Sequence, residues 1–543
     1  MDKLFFNQET IKRLTGIDTT RCLLYPHMDL DCRVFSSPLM LEKEDGTSYL
    51  FVKDIERGNF REQGLKTKVT YFRPYLTFDQ QTEKMPDDWF EVLRINSKDK
   101  KIVVDDSVCY SVYEALKKEF EVVVSEGVPW WRVYTYEVDP LDVLNEFMST
   151  YDESLDDAKR IAPGLTSIMQ KHKDSRFEKL QELLGNLQIK TLLVSSPLNQ
   201  QEITGIPFQF FNDNSCLTVC CQNRVFLLTN QPLTQSFPKL VGGFPNLKTA
   251  YESLPIDFKS PIGIEENNLS YGQFRDLGLS EDLVCPATVA LRVWREIRAG
   301  EELPFYIIAA RTTCYGIETA IERTKDALKG AAILETDVER FLYSAFKDFE
   351  KTNQLSVQIQ PYFLVLHAGN RTRRPNLPQF SPVNSDTRSL KIDCGVLVID
   401  RNGLVRAASD LCRTLTLDDN ARELYQFVDQ QMTGAAIPSA VPGKTGEEVY
   451  HAGTQELIQK QDRWVSIGVL PPGVDLAKEY NRDIGHVMGK QEPATLGFRK
   501  GNTFVLKDGM IGCVEYQWPY YPYAIGVEDM FLVTSQGAVN ITR

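Results

Sequence analysis

The sequence predicts two α/β units followed by an α+β domain that is built on an antiparallel sheet. A short motif occurs twice in the first half of the chain, at residues 7–17 and 199–206, and β-rich runs follow each copy. From Pro304 onwards, apolar residues recur at the three-to-four spacing of helices. Two apolar runs around the turn signal at residues 400–403 predict a β-hairpin over residues 390–416.

The elements of the first half follow from local patterns. Residues 50–52 and 225–228 are expected to be equivalent strands of the two copies, and residues 140–173 a helical connection between them. An amphipathic pattern predicts a helix over residues 175–185, and the strand that it feeds lies at 191–195. A chain of 543 residues is long enough for several domains with their own cores. We expect three domains, over residues 1–160, 161–298 and 299–543.

Helices and strands alternate in the C-terminal half. Residues 305–329 predict a helix that ends at Gly330, because glycine is favoured just after the last helical turn. Thr336 and Glu339 form a capping-box pattern that opens a second helix toward Lys351. The elements predicted beyond it are a strand, the hairpin and two helices, over residues 362–367, 390–416, 419–432 and 445–460.

Composition and charge exclude several classes of protein. Hydrophobic residues make up 42% of the chain and charged residues 25%, as in ordinary globular proteins. No apolar run reaches the roughly 18 residues of a membrane-spanning helix, so we expect no membrane insertion. A net charge of −13 without a basic stripe argues against a nucleic-acid partner.

The first residues and the cysteines indicate a cytoplasmic location. The N-terminus lacks the basic start and the apolar core of a signal peptide. Eleven cysteines, an odd number without zinc-finger spacing, favour reduced thiols.

Asp393 and Asp410 occupy opposite arms of the predicted hairpin. If the turn at residues 400–403 is symmetric, the two residues face each other across the ladder and point to the same face. Such residues have Cβ atoms roughly 5 Å apart. Two carboxylates at that separation repel each other unless positive charge lies between them, and a pair of divalent metal ions would supply it.

Three further residues complete a candidate metal site. His486 follows a glycine, and Glu515 and Glu528 each follow a valine in a short apolar run, which is typical of a strand that presents one charged side chain. In order and local context the five residues resemble the pita-bread metallopeptidase family, which includes aminopeptidase P, prolidase, creatinase and methionine aminopeptidase. The motifs that carry the resemblance are Asp393, Asp410 before Arg413-Thr414, Gly485-His486, Gly509-Met510 before Glu515, and Val527-Glu528-Asp529.

The resemblance implies a fold. It implies creatinase-like α/β domains at residues 1–160 and 161–298, and a pita-bread catalytic domain with a curved antiparallel sheet at 299–543, as in three-domain forms of aminopeptidase P. The interval between Asp393 and Asp410 is longer than is usual in the family. The excess is an even number of residues, which keeps both carboxylates on one face.

The resemblance also implies two divalent metal ions. By analogy, Asp410 and Glu528 would bridge them, Asp393 would complete one coordination sphere, and His486 with Glu515 the other. This oxygen-rich donor set suits Mn²⁺, Fe²⁺, Co²⁺ or Zn²⁺. The metals would activate water to cleave a peptide or related C–N bond, with Glu515 carrying a proton to the leaving amine.

Three cysteines lie close to these candidate ligands. Cys394, Cys412 and Cys513 are each within two residues of one of them. Strand alternation places Cys394 on the face opposite Asp393, which favours a buried apolar role. Oxidation of a thiol near a redox-active metal is the alternative.

The chain departs from the family where proline-specific members place two histidines. The upstream segment has arginines and a proline where a histidine is expected, and the downstream position falls at Pro493. His367 is then the candidate for a catalytic imidazole, with a structural role as the alternative. Arg373 and Arg374, together with Arg371, are candidates for binding a substrate carboxylate, or else form a solvated basic loop.

The departure leaves more than one function open. The first expectation is an Xaa-Pro aminopeptidase-like hydrolase, acting as a homodimer on short peptides or small molecules. The second keeps the metal site and changes the reaction to amidine hydrolysis or lyase-like chemistry. The third is a pita-bread domain that serves as a non-catalytic binding platform.

Overall fold

The computed structural model describes residues 1–17, 38–54, 65–72, 85–97, 100–127, 130–169, 173–372, 377–480, 483–490, 496–518 and 520–543. Three groups of strands follow one another along the chain, each with its own helices. No helix among these residues is long and apolar enough to cross a membrane.

The first sheet is mixed and lies in the first 124 residues. Its strands are β1 (Asp2–Phe5), β2 (Leu39–Glu42), β3 (Ser48–Lys53), β4 (Lys68–Phe72), β5 (Lys101–Val104) and β6 (Glu121–Val124). The strand order is β4-β3-β2-β1-β5-β6. Its helices are α1 (Gln8–Thr15), α2 (Trp89–Asn96) and α3 (Tyr110–Lys117).

The second sheet has seven strands in the order β11-β7-β10-β9-β8-β12-β13. They are β7 (Val133–Val138), β8 (Thr191–Val194), β9 (Cys216–Cys221), β10 (Arg224–Thr229), β11 (Lys239–Phe244), β12 (Ile262–Ile264) and β13 (Val284–Pro286). The accompanying α-helices are α4 (Pro140–Met148), α5 (Tyr151–Ile161), α6 (Arg176–Asn186), α7 (Pro197–Thr204), α8 (Phe208–Asp213), α9 (Leu247–Glu252), α10 (Tyr271–Leu277) and α11 (Thr288–Glu296). Short 3₁₀ helices span Pro163–Ile168 and Glu281–Leu283.

The two sheets share the pairing of five strands, in line with the repeat predicted from the sequence, and differ at the next strand, which is parallel in the first sheet and antiparallel in the second. In the first, β1, β2 and β3 form an antiparallel meander, and β1 also pairs in parallel with β5 and then β6. In the second, β8, β9 and β10 form the meander, and β12 and β13 the parallel side. The helix after the first strand ends in both at a left-handed glycine, Gly16 or Gly205.

Strand pairing bears on where one N-terminal unit ends and the next begins. β7 pairs with β10 and β11, so residues from Val133 onwards belong to the second sheet. The predicted division at residues 160/161 would separate β7 from that sheet. We therefore propose a division between Val124 and Val133 instead.

The C-terminal part contains two four-stranded sheets and a two-stranded one. The strands are β14 (Ile333–Leu334), β15 (Gln358–Ala368), β16 (Pro382–Val383), β17 (Ser389–Ile399), β18 (Val405–Ala408), β19 (Leu411–Thr416), β20 (Gly485–Val487), β21 (Ile511–Trp518), β22 (Ile525–Thr534) and β23 (Gly537–Asn540). The helices are α12 (Leu303–Leu328), α13 (Glu335–Thr352), α14 (Asp419–Gln431), α15 (Ile437–Ser439), α16 (Gly446–Gln459), α17 (Gln461–Ser466) and α18 (Leu476–Glu479), with 3₁₀ turns at Ala299–Glu302 and Gly369–Arg371 and a π-helical turn at Met432–Ala436.

Each four-stranded sheet has its own helical layer and its own apolar core. The core of α12 and α13 includes the side chains of β15, β17, β18 and β19. The core of α14 and α16 includes those of β20, β21 and β22. The sheets join where Thr414 of β19 accepts a hydrogen bond from the Gly526 N–H of β22 and donates one to its carbonyl, both at 2.8 Å. This arrangement is the predicted antiparallel sheet with helices packed against it.

The helices of this part agree with the sequence patterns except at one start. α13 begins at Glu335, and the Asp337 carboxylate accepts a hydrogen bond from the Leu334 N–H at 2.8 Å. The prediction that Thr336 caps this helix was therefore wrong, because the N-cap is Leu334 and Asp337 takes the N3 position that the prediction gave to Glu339. α16 lies within the helix predicted over residues 445–460, and a capping box between Thr445 and Glu448 opens it.

The register of the aspartate hairpin differs from the symmetric prediction. Asp393 pairs with Cys412 and not with Asp410. One residue of the shift comes from the turn, because the Asp400 N–H donates to Leu404 across a loop that contains Gly403 at φ +81°.

The other residue of the shift comes from a bulge at Arg406. Val398 pairs with Ala407 whereas Ile399 pairs with Val405, so Arg406 is the extra residue on the return arm. A total shift of two is even, and it leaves Asp393 and Asp410 on the same face of the sheet.

The bulge directs Arg406 into a buried network of charges. Its Nε donates to Glu302 at 2.9 Å, and its Nη1 to Asp400 at 2.9 Å and to Thr150 at 2.6 Å. The guanidinium also lies over the Phe305 ring, 4.0 Å from its centroid. This network connects the hairpin to α12 and to the helices of the second unit.

Glu202 of α7 is the second centre of the same network. It accepts hydrogen bonds from Arg298 at 2.7 Å and from Lys490 at 2.5 Å, and it lies 3.5 Å from Arg176. Lys490 also contacts Glu302 at 2.5 Å. Burial alone would raise the pKa of Glu202, but Lys490 and Arg176 outweigh it and lower that pKa. The network fixes the second unit against the C-terminal domain.

Removing Glu202 should destabilise the protein strongly. We expect Glu202→Ala to lower the free energy of unfolding by about 3–5 kcal/mol, because it leaves buried cations without their partner. Urea denaturation followed by tryptophan fluorescence measures the loss. The matched control, Glu322→Ala, removes an exposed ion pair with Lys325 and should cost ~0–1 kcal/mol. Equal losses in both variants would contradict the proposed weight of the buried network.

Candidate metal centre

Strands from both sheets present the five predicted ligands. Asp393 lies in β17, Asp410 directly before β19, His486 in β20, Glu515 in β21 and Glu528 in β22. Glu515 and Glu528 are directly paired across β21 and β22, so their side chains share a face.

Two glycines allow the backbones to approach closely enough. A Cβ on Gly395 would lie 2.0 Å from the Ser409 carbonyl oxygen, next to Asp410. A Cβ on Gly485 would lie 2.1 Å from the Cys513 carbonyl oxygen, and its φ of +120° is itself unfavourable for other residues. The glycine before His486 is therefore required by the packing of β20 on β21.

Four side chains form a compact cluster. One ligand atom from each of Asp410, His486, Cys513 and Glu528 lies within 4.8 Å of the other three. The His486 Nε2 atom is 3.6 Å from an Asp410 oxygen, and the Cys513 sulfur is 3.4 Å from each ring nitrogen of His486. Carboxylate, imidazole and thiol groups at these separations suit a divalent metal ion.

Glu528 gives the clearest sign that the cluster suits a cation. Its side chain is buried, and among the described residues neither carboxylate oxygen has a hydrogen-bond partner. A buried acceptor without a partner is costly, and a bound metal ion would satisfy both oxygens. Burial raises the pKa of Glu528 well above its usual range, and Asp410 and Glu515 raise it further.

Asp393 has a different environment, because it already has a cationic partner. Lys391 Nζ donates to Asp393 Oδ2 at 3.0 Å and to Gln517 Oε1 at 3.0 Å. The Gln517 amide nitrogen donates to Asp393 at 3.0 Å and to Glu515 at 2.5 Å. Even so, burial outweighs the ammonium group and raises the pKa of Asp393 to about 7. Burial likewise raises the pKa of Asp410.

A second ion pair holds the hairpin on β22 next to the site. Arg413 Nη2 donates to Asp529 at 2.5 Å, and its Nη1 donates to the carbonyl of Glu528 at 2.5 Å. Asp529 also accepts from Arg543 at 2.6 Å. These bonds fix the backbone on either side of the Asp410 and Glu528 carboxylates.

Comparison with known proteins relates this geometry to solved structures. No family model matches the sequence. The "Uncharacterized peptidase YqhT" of Bacillus subtilis is 23% identical over 385 residues, which cover 68% of this chain and 98% of that protein. The X-prolyl aminopeptidase of Caenorhabditis elegans, described as a cytosolic enzyme with a di-nuclear active site, matches at a TM-score of 0.57 and 11% identity. That match covers 100% of this chain and 86% of the enzyme. The chain has the pita-bread fold.

A prolidase from Pyrococcus horikoshii matches a smaller part of the chain, at a TM-score of 0.49 and 18% identity. The match covers 68% of this chain and 98% of the prolidase. The match to the Caenorhabditis elegans structure supports the predicted fold, with creatinase-like α/β units and a C-terminal pita-bread domain.

His367 lies in the pita-bread domain on the strand next to Asp393. It is buried in β15, pairs with Lys391 across β17, and has an Nδ1 atom without a hydrogen-bond partner among the described residues. Burial, with Lys391 and Arg371 nearby, lowers its pKa well below the usual value, so the imidazole is neutral.

The structure describes one of the three arginines that were predicted near the site. Arg373 and Arg374 lie outside the described residues. Arg371 was expected at the mouth of the site, but its guanidinium pairs with the buried Glu335, with Nη2 and Oε2 2.6 Å apart. Its role is therefore structural, because it holds the end of β15 against the start of α13.

Sequence reasoning missed two residues of the site and undervalued a third. Lys391 and Gln517 lie two positions from Asp393 and Glu515, and Cys513 lies two positions before Glu515. Residues two apart on a strand share a face, so alternation was the signal that could have found all three.

The metal-free protein should lose stability as pH rises from about 4 to about 7. The pKa of Asp393 is about 7 in the folded state and about 3.9 in an unfolded chain. Between these values the folded state binds the extra proton, so this stabilisation is complete below the lower value and is lost as pH rises through the upper one. Thermal unfolding midpoints in the presence of a chelator measure the change.

Asp393→Asn is the control for this pH dependence: it removes one titrating group and should make the loss smaller, while Asp410 and Glu528, whose pKa values burial also raises, keep the rest. The pKa of Asp174 is lowered to about 2, so its protonation changes the stability only at more acidic pH. A midpoint that rises between about pH 4 and about pH 7 in the metal-free wild type would contradict the expectation.

Proposed function

We propose that this protein is a dinuclear metal-dependent hydrolase that cleaves a peptide or related C–N bond in a small substrate. The observation that carries the proposal is that Asp393, Asp410, His486, Glu515 and Glu528 lie close enough to influence one another electrostatically, and that neither oxygen of the buried Glu528 carboxylate has a hydrogen-bond partner among the described residues. The Bacillus subtilis relative is named as a peptidase, and the Caenorhabditis elegans structure as a di-nuclear aminopeptidase. Both names support a hydrolase of peptide-like bonds.

The residues present fit two divalent ions from the group Mn²⁺, Fe²⁺, Co²⁺ and Zn²⁺. Four carboxyl groups meet, and the ammonium group found beside them among the described residues is that of Lys391, so added positive charge is electrostatically favourable. Asp410 and Glu528 are proposed to serve both ions, Asp393 one of them, and His486 with Glu515 the other.

The metal ions would supply Lewis-acid polarisation of the scissile bond and a hydroxide nucleophile near neutral pH. Side chains of the protein are proposed to transfer the protons. Glu515 is proposed to carry a proton to the leaving amine, and Gln517 holds that carboxylate at 2.5 Å. The neutral His367 is proposed as the remaining imidazole for proton handling.

Substrate choice is proposed to differ from that of proline-specific relatives. The sequence has no histidine at the two positions where those enzymes place one. Arg373 and Arg374 are proposed to bind a substrate carboxylate through their guanidinium groups. We propose short peptides or small carboxylate-bearing molecules as substrates, and a cytoplasmic location.

Loss of one shared ligand should abolish metal loading and catalysis together. We expect wild type reconstituted with Mn²⁺, Fe²⁺, Co²⁺ or Zn²⁺ to bind about two ions per chain, as measured by elemental analysis. Asp410→Ala should bind neither stoichiometrically, because its carboxylate serves both sites, whereas the exposed Asp419→Ala should load normally. Wild type that stays metal-free after reconstitution would contradict the proposal.

The same preparations test the reaction. Xaa-Pro dipeptides and tripeptides, other short peptides and amidino compounds are offered to the loaded enzyme. Turnover should be lost in Glu515→Gln and retained in the exposed Glu322→Gln. Turnover of amidino compounds alone would replace the peptidase by a divergent hydrolase. Metal binding without turnover of any compound would indicate a binding platform.

We also propose that the protein is a homodimer, with the N-terminal units limiting entry to small substrates. Light scattering at micromolar concentration should give twice the mass of one 543-residue chain. The mass of a single chain under these conditions would contradict the dimer.

A further inference from the structure

We propose that Cys513 is a thiolate ligand of the metal site, and that this ligand makes the site selective for Zn²⁺ over Mn²⁺. The inference rests on the metal site of the proposed function and names one more donor in it. The added donor is a residue of this chain, and the five predicted ligands did not include a sulfur atom.

The position of the sulfur atom relative to His486 carries the proposal. Cys513 is directly paired with His486 across β20 and β21, and its sulfur lies 3.4 Å from both ring nitrogens. Tetrahedral bonds of about 2.0 Å to nitrogen and about 2.3 Å to sulfur place the two donors roughly 3.5 Å apart. The observed 3.4 Å to either ring nitrogen is close to this distance, and the imidazole would bind the ion through one of its two nitrogens.

The remaining donors are within reach of the same point. Asp410 and Glu528 complete the cluster in which the four ligand atoms lie within 4.8 Å of one another. The Glu528 carboxylate is buried and has no protein partner among the described residues. This set of two carboxylates, one imidazole and one thiol is a four-donor set of the kind that zinc binds.

The orientation of Glu515 strengthens this assignment. Its carboxylate accepts a hydrogen bond from Gln517, which also bonds to Asp393. Glu515 is therefore partly held toward the Asp393 side of the site, and Cys513 adds a donor to the ion that Glu515 and His486 are proposed to bind.

The chemistry of the thiol gives the selectivity. When the metal–sulfur bond forms, the thiol proton passes to solvent and the sulfur binds as thiolate. Thiolate is a soft donor that favours Zn²⁺, whereas Mn²⁺ prefers oxygen donors. A site made only of carboxylates and imidazole would lack this added discrimination.

Cobalt substitution tests the sulfur bond directly in the full-length protein. Metal-free protein is titrated with Co²⁺, and the absorption spectrum is recorded. We expect a near-ultraviolet sulfur-to-cobalt charge-transfer band in wild type and its loss in Cys513→Ala. The control Cys394→Ala removes an equally buried thiol of β17 that lies outside the cluster, and it should keep the band.

The outcomes separate this inference from the proposed function. If cobalt fails to bind wild type at all, the metal site itself is wrong. If visible ligand-field bands appear without the charge-transfer band, or the band persists in Cys513→Ala, only the cysteine assignment is overturned. Loss of the band in Cys412→Ala, with its retention in Cys513→Ala, would assign the sulfur to the neighbouring strand instead.

A second measurement does not depend on any variant folding. X-ray absorption of the zinc-loaded wild type should show a sulfur scatterer at about 2.3 Å, and a shell of oxygen and nitrogen alone would overturn the proposal. In competition titrations, Cys513→Ala should lower the ratio of Zn²⁺ to Mn²⁺ affinity by at least about tenfold, the lower bound for losing even an outer-shell partner of a metal site. An unchanged ratio would contradict the selectivity.

Discussion

Four carboxyl groups are held inside this protein on one face of two joined sheets, and their mutual repulsion is the constraint that the surrounding structure must satisfy. Lys391 and Gln517 restrain Asp393 and Glu515. Arg413 and Asp529 hold the backbone beside Asp410 and Glu528 without touching either carboxylate. The carboxylates are thereby kept close together but incompletely neutralised, because the Glu528 oxygens have no hydrogen-bond partner in the part of the chain that the structure describes. A cation-binding site is the physical result of that incomplete compensation.

Buried charges also attach the second N-terminal unit to the C-terminal domain. Lys490 lies four residues after His486 and reaches Glu202 of α7 and Glu302 before α12. The bulged Arg406 reaches Glu302 and Asp400 from within the aspartate hairpin. Lys490 therefore ties the segment after β20 to α7 of the second unit, and Arg406 ties the hairpin to that unit through its hydrogen bond to Thr150. Motion of that unit relative to the site would have to break these pairs inside the protein, where charges are poorly solvated.

Much of this organisation could be predicted from the sequence, because it depends on periodicity and on local turn chemistry. The repeat, the long helix α12, the hairpin and the order of the five candidate ligands all leave such signals. The hairpin register could not be predicted, since it depends on a bulge whose cause is the buried partner of Arg406, distant in sequence. The contacts of Lys391 with Gln517 and of Cys513 with His486 join different strands, and their pairing is set by tertiary packing. Alternation indicates a shared face but not which strands will meet.

The ammonium group of Lys391 also bears on how such a protein matures after synthesis. The Asp393 half of the site contains its own counter-charge, so this half can assemble as the chain folds, before any ion arrives. The other half is shaped by hydrogen bonds on the reverse face of β22. The polypeptide itself therefore holds the donor groups close together, and a metal ion would bind to groups that are already in place. In this respect the protein is unlike small zinc modules, in which binding and folding are one event.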